Sequence, residues 1–263
     1  MSKYEIELTG GEQAVLLLHG LTGNPFEMKF LADKLHKKGF SVYAPCLPGH
    51  NETIEVLKQT PWQEWYRGAR EAYLHLKETH EQVGVAGLCM GAVLALELAA
   101  EFPEIPAVSL MSTTLFYDGW TIPWYSFLIP LVYCTPLKYF YSFTERPPYG
   151  IKNDRLRSIV LKNASEMVYD RVPGLAMDQN FRLINHVKSH LQAVTAPILL
   201  LHAREDDTAS LKNAEYVEQH VGSTSIRKVI LEESYHMITV DTDRHLVAKE
   251  NIEFFTTYLR QNC

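Results

Sequence analysis

The chain is 263 residues long and carries 25 Lys and Arg against 31 Asp and Glu, a formal net charge of −6. At 46% hydrophobic and 21% charged it has the composition of a folded globular protein, neither disordered nor fibrous, and its length suits one large domain or a domain with an insertion. An acidic chain without a Lys/Arg cluster lacks the electrostatic footprint of a nucleic-acid binder, so no nucleic acid is expected as a partner.

The opening Met1-Ser2-Lys3-Tyr4-Glu5-Ile6-Glu7 shows no apolar leader segment. Cys46, Cys89, Cys134 and Cys263 have no CxxC spacing and read as free thiols of a reducing compartment. The cytoplasm is the expected location. Strands are predicted over Tyr4-Leu8, Ala14-His19, Ser41-Ala44, Val83-Gly87, Ala107-Met111, Pro197-His202 and Ile226-Leu231, with helical patterns between them. Such alternation is the signature of an α/β protein with a mostly parallel sheet covered on both faces. Gly10-Gly11 signals a hairpin, so the first two strands are expected to form an antiparallel edge pair.

Asn24-Pro25-Phe26-Glu27 places an Asn cap before a proline at the first helical position, and Gly39 closes that helix. Thr60-Pro61-Trp62-Gln63 reads as a capping box opening a helix to about Glu78. From Met90 to Phe102 the sequence is apolar nearly all round, as for a helix buried behind the sheet, and Pro103 ends it. Residues 116–143 then hold 11 aromatics in 28 positions, where the chain average of 11% predicts about three. Prolines 123, 130 and 136 and Lys138 rule this stretch out as a membrane span. Helical patterns follow at about Asp154 to Tyr169 and Gly174 to Leu191. Residues 113–195 are therefore read as a helical, aromatic-rich cap inserted into a core made of 1–112 and 196–263.

The strongest local signal is Gly87-Leu88-Cys89-Met90-Gly91, where a β-run passes through G-x-C-x-G into a helix. A nucleophile on so sharp a turn sits in strained backbone, and glycines two residues to either side remove the side chains that would collide there. The same placement sets the sulfur at a helix N-terminus, which favours a thiolate.

This motif, together with Leu18-His19-Gly20-Leu21-Thr22-Gly23-Asn24-Pro25, Pro48-Gly49-His50, Ala203-Arg204-Glu205-Asp206 and Ser234-Tyr235-His236, resembles the α/β-hydrolase superfamily. The likeness is closer to its small bacterial carboxylesterase and monoacylglycerol-lipase branch; it covers about 10–112 and 196–262 and is weak over the cap. The resemblance implies an α/β-hydrolase fold and a nucleophile, acid and base in chain order: Cys89, Asp206 and His236. It also implies an oxyanion hole from the backbone N–H groups of Leu21 and Met90, and no metal or organic cofactor.

Cysteine at the elbow departs from the serine usual in this branch, and reads either as a native nucleophile or as a replacement for serine. A thiol ionises far more readily than a hydroxyl, so cysteine remains chemically workable. Glu205, Asp206 and Asp207 are adjacent and each is a candidate acid; the family's turn favours Asp206. His19 and His50 are expected to serve loop architecture. His186 and His190, four apart on a helical pattern, have a spacing that can hold zinc, but the sequence offers no third ligand beside them, so no metal is expected. Phe116, Trp120 and Trp124 in the aromatic segment are the candidate substrate-binding residues.

The expected activity is cleavage of carboxylic esters or thioesters of apolar acyl groups through an acyl-enzyme. Acyl transfer, or a binding module without turnover, is the alternative. The aromatic cap is also a candidate surface for transient membrane docking or self-association.

Overall fold

The computed structural model describes residues 4–123, 135, 141–144, 147–163 and 171–259, with side chains at 160–163 left aside. Cys134, Cys263, Trp124 and the predicted helical turns beyond Asn163 lie outside the described residues.

The sheet is built from β1 (Ile6–Leu8), β2 (Gln13–Leu18), β3 (Ser41–Ala44), β4 (Gln82–Leu88), β5 (Val108–Met111), β8 (Ile198–Ala203) and β9 (Ile226–Leu231). Their spatial order is β1-β3-β2-β4-β5-β8-β9, parallel throughout except for β1. The expected edge strand is there, but its partner is β3 and not β2: Ile6 lies opposite Ala44 and Leu8 opposite Val42. The glycine pair makes no hairpin. Gly11 N–H donates to Gly39 O at 2.8 Å, Gly10 N–H donates to Ser41 Oγ at 2.9 Å, and a Cβ on Gly10 would lie 2.4 Å from Phe40 O. The two glycines let the chain cross directly over the start of β3.

The central strands bury both faces, which is why they read as unbroken apolar runs. Along β2, Ala14, Leu16 and Leu18 enter one core while Val15 and Leu17 enter the other. The first core is closed by α3 (Trp62–Lys77), α4 (Met90–Glu101) and α6 (Gly174–Lys188), the second by α1 (Lys29–Lys37) and α8 (Arg244–Leu259). Ten residues of α4, Met90 to Ala99, are buried, so no polar face was available to give it an amphipathic pattern. Gly84 in β4 makes room for Phe255, whose ring carbon would stand 2.6 Å from a Cβ there.

The helix starts differ in detail from their sequence signals. Asn24 caps a short 3-10 turn, Pro25–Met28, by accepting from Phe26 N–H at 2.9 Å, and α1 continues from it. The Thr60 capping box does not form. Thr60 instead donates from Oγ1 to Val56 O at 2.8 Å, closing α2 (Ile54–Gln59), and Pro61 stands at the cap position of α3. The remaining elements are α5 (Asp154–Asn163), α7 (Lys212–His220), and a two-stranded antiparallel ribbon of β6 (Ser142–Thr144) and β7 (Arg171–Pro173). Within 113–195, α6 contributes Leu183, Ile184 and Val187 to the first core beside α4. No helix among the described residues is long and apolar enough to cross a membrane.

From β2 the chain moves outward to β3, then returns past β2 to β4. The loops after β2 and β4 therefore leave the sheet in opposite directions, and they open a crevice at its carboxyl edge.

Candidate active site

Cys89 occupies that crevice, between the end of β4 and the first residue of α4. Its backbone is strained, with φ 56° and ψ −116°. A Cβ on Gly87 would lie 2.1 Å from Gly91 O, and one on Gly91 would lie 2.2 Å from Leu18 O, so only glycine fits at either position. The turn is held from below by Cys89 N–H donating to Met111 O at 2.9 Å. Cys89 is neither sealed in nor fully exposed, whereas Cys46 donates to His50 O at 3.4 Å and burial pushes its thiol up to about 11.

His236 and Asp206 come from the loops after β9 and β8. Asp206 is buried and its carboxylate faces His236 Nδ1, at 3.0 Å from Oδ1 and 2.9 Å from Oδ2. Oδ1 also accepts from Thr208 N–H at 2.9 Å and Ala209 N–H at 2.8 Å. Burial works against charge on both groups. The imidazolium nevertheless holds the Asp206 carboxyl below the usual carboxylate range. Asp206, and after it Cys89, holds His236 well above the ordinary imidazole value. The other ring nitrogen, Nε2, is buried and makes no aligned hydrogen bond. Cys89 is nonetheless close enough to act on the ring both through charge and through a side-chain hydrogen-bonding contribution.

The three acidic neighbours separate cleanly. Asp206 meets the imidazole. Asp207 accepts His236 N–H at 3.3 Å and Gly150 N–H at 3.1 Å, and Glu205 pairs with Lys152 at the surface, 2.8 Å away.

The loop after β2 reaches the same place. Gly20 packs so closely that an added Cβ would lie 3.4 Å from Cys89 Cβ, which brings Leu21 beside the elbow. Met90 is the first residue of α4, so its N–H has no acceptor within the helix. His19 carries this loop as a neutral imidazole, with Nδ1 2.9 Å from Gly20 O and Nε2 accepting Leu47 N–H at 3.1 Å. Burial lowers its pKa to about 4. His50, packed edge-on against it at 4.9 Å, is lowered to about 3 by burial and then by His19.

Several supporting residues carry no sequence signal of their own. Glu27 accepts Gly20 N–H at 3.1 Å, fastening the Leu21 loop. Thr114 Oγ1 points at Cys89 Sγ at 3.4 Å and at Ser112 O at 3.1 Å. Ser112, at φ 44°, donates to His236 O at 2.7 Å. His202 lies 3.5 Å from Asp206 Oδ2 and pairs with Ala209 O at 2.7 Å. Asp241 accepts the backbone N–H groups of Tyr235 at 3.0 Å and Lys152 at 2.6 Å.

Of the aromatic candidates, Trp120 stands at the site's margin: its indole donates to Glu205 O at 3.1 Å and its ring meets Tyr235 at 5.3 Å. Phe116 instead packs against Tyr216, with Lys188 Nζ 3.5 Å above its ring.

A twisted parallel sheet with a strained strand-to-helix turn at its carboxyl edge, and an imidazole and carboxylate on the loops of two later strands, is the α/β-hydrolase fold. The chain belongs to the hydrolase family described as "Serine aminopeptidase, S33", whose model matches residues 11–243. It is 30% identical to a thermostable monoacylglycerol lipase of Bacillus sp. (strain H-257), over 94% of this chain and 92% of that one. It is 27% identical to a carboxylesterase of Bacillus subtilis (strain 168), over 93% of each. Among solved structures, one from work on the metagenome-derived lipolytic enzymes LipS and LipT superposes with a TM-score of 0.84 at 24% identity, over 96% of this chain and 97% of that one. The monoacylglycerol lipase of Paleococcus ferrophilus superposes with a TM-score of 0.80 at 19% identity, over 98% and 100%.

Proposed function

We propose that the chain hydrolyses carboxylic esters or thioesters of apolar acyl groups by nucleophilic catalysis at Cys89. His236 takes the thiol proton and the sulfur attacks the acyl carbonyl. The N–H groups of Leu21 and Met90 receive the oxyanion, and the leaving alcohol or thiol departs with the proton held by His236. Water, deprotonated by the same imidazole, then attacks the thioester and frees the acid and the thiol. Asp206 orients the ring and stabilises its charged form. The observation that carries this reading is the strained Cys89 beside an imidazole whose opposite nitrogen faces a buried carboxylate.

Residues 113–195 serve in this reading as a cap over the acyl group, with Trp120 as the described aromatic at the site's margin, while Phe116 packs away from it against Tyr216. Backbone pairing supports the placement, since Gly119 N–H donates to Thr208 O at 2.9 Å and Thr121 N–H to Asp207 O at 3.1 Å, laying the start of the cap on the acid loop. Few charges and many aromatics favour a lipid-like acyl chain over a sugar or phosphate ester.

The test is a chain-length series of p-nitrophenyl esters and acyl thioesters with wild type, Cys89→Ser and Cys89→Ala. Turnover that vanishes in Cys89→Ala and falls in Cys89→Ser supports a native thiol enzyme. A serine variant faster on every ester points to a serine enzyme whose nucleophile has been exchanged. Full activity in Cys89→Ala overturns the mechanism.

A further inference from the structure

Glu97 is the one charged residue within the buried run of α4. Its carboxylate meets two histidines placed one helical turn apart on α6. Oε1 is 3.1 Å from His186 Nε2 and Oε2 is 2.8 Å from His190 Nε2, and the three ligand-type atoms all lie within 4.8 Å of one another. The histidine spacing alone lacks a third ligand; the fold supplies it from a helix about 90 residues away in sequence.

Hydrogen bonding behind one ring fixes its orientation. The Ser189 hydroxyl has one hydrogen and donates it to His186 O at 2.7 Å. His190 Nδ1, 3.3 Å from the same Ser189 oxygen, must then be the donor in that contact. His190 Nε2 is thereby aimed at Glu97 Oε2, 2.8 Å away, on the same side of the carboxylate as His186 Nε2.

We propose that Glu97, His186 and His190 bind a divalent transition-metal ion of the zinc type. Two imidazoles and a carboxylate are the donor set such an ion prefers over magnesium or calcium. Bonds of about 2.0–2.2 Å to each ligand need only small side-chain adjustments from the observed spacings. The ring orientations are already supported, by Ser189 behind His190 and by Trp62 against His186 at 4.9 Å. An ion can enter from solvent, because the His186 and His190 side chains are 45% and 32% exposed while Glu97 is 10%. Glu97 lies eight residues beyond Cys89 on α4, roughly 12 Å along the axis. The ion therefore stays out of the reaction and fastens α6 to the helix that carries the elbow.

The test titrates metal-free protein with Co2+ as a spectroscopic substitute, and separately with Zn2+ while following Tm. The expected result is one equivalent of Co2+ bound with ligand-field bands of nitrogen and oxygen donors and no sulfur-to-metal charge-transfer band, together with a Tm that rises with Zn2+. Cys89→Ala should keep the site. His186→Ala and His190→Ala, partly exposed positions that fold readily, should each weaken binding by at least about a hundredfold, since outer partners alone are worth tenfold to a hundredfold. Absence of stoichiometric binding, a thiolate band, or binding undiminished in the histidine variants overturns the site. So does a Tm indifferent to zinc that responds to pH through His190, which would make a proton the occupant.

Discussion

Acidification should weaken the fold through the histidine pair beneath the Leu21 loop. His19 and His50 are 0% and 2% exposed, and their native pKa values are lowered to about 4 and about 3 from 6.5. Below pH 6.5 the unfolded chain takes up protons on both rings while the native state refuses them, so stability is present above that pH and drains away as pH falls. Between pH 6.5 and 5 each ring accounts for a loss of about 1.6 kcal/mol and the pair for about 3, a large share of the roughly 5–15 kcal/mol that hold a typical domain together. His236 has the opposite sign: its stabilisation builds as pH drops through its raised native value and is nearly complete at 6.5, and because it is the same in wild type and in His50→Gln it cancels between them. The assay is urea unfolding followed by tryptophan fluorescence at pH 6.5, 6, 5.5 and 5, on wild type and His50→Gln. His50 Nε2 has no partner and Nδ1 lies 3.2 Å from Pro48 O, a contact a glutamine amide can replace. Wild type should lose about 1.6 kcal/mol more than the variant across the window. Equal slopes would show that His50 does not titrate between the folded and unfolded states as its burial requires.

Gly91→Ala sets a methyl 2.2 Å from the Leu18 carbonyl oxygen, and should cost at least about 3 kcal/mol, read as a Tm lower by roughly 6–10 °C or as loss of soluble protein; an unshifted Tm contradicts the elbow packing. Asp206→Asn keeps the shape but leaves the ring of His236 free to take the wrong tautomer, so kcat on p-nitrophenyl esters should fall by about 10⁴ with KM little changed. A loss under tenfold would remove Asp206 from the mechanism. Glu27→Ala releases Gly20 N–H, and kcat/KM should drop by about a hundredfold through displacement of the Leu21 amide; undisturbed kinetics would show that the loop holds its position without that carboxylate.

What was legible in the sequence was whatever local sterics or burial dictate. The elbow glycines could be read because nothing else fits beside the carbonyl oxygens of Gly91 and Leu18, and the strands because burial on both faces leaves unbroken apolar runs. What escaped depends on partners distant in the chain. Gly10-Gly11 looks like a hairpin locally, yet β3 takes the place beside β1. Thr60 looks like a cap, yet its hydroxyl turns back to the preceding helix. Of three adjacent acids, the family's turn favoured Asp206, and the bend of the loop is what brings it and not Asp207 to the ring. Ser112, Thr114 and Asp241 act through single long-range hydrogen bonds, which leave no periodicity or spacing to find.

The order of parts along the chain has a consequence for folding. Cys89 and the Leu21 loop are complete once β5 has formed, but Asp206 and His236 lie 117 and 147 residues beyond Cys89 and are drawn in only when β8 aligns beside β5, Val108 against Ile198, and β9 beside β8. On the proposed mechanism, a chain in which those strands have not yet paired carries its thiol without a base to activate it. By that mechanism, hydrolytic competence therefore reports that β8 and β9 have docked on the strands that carry the elbow.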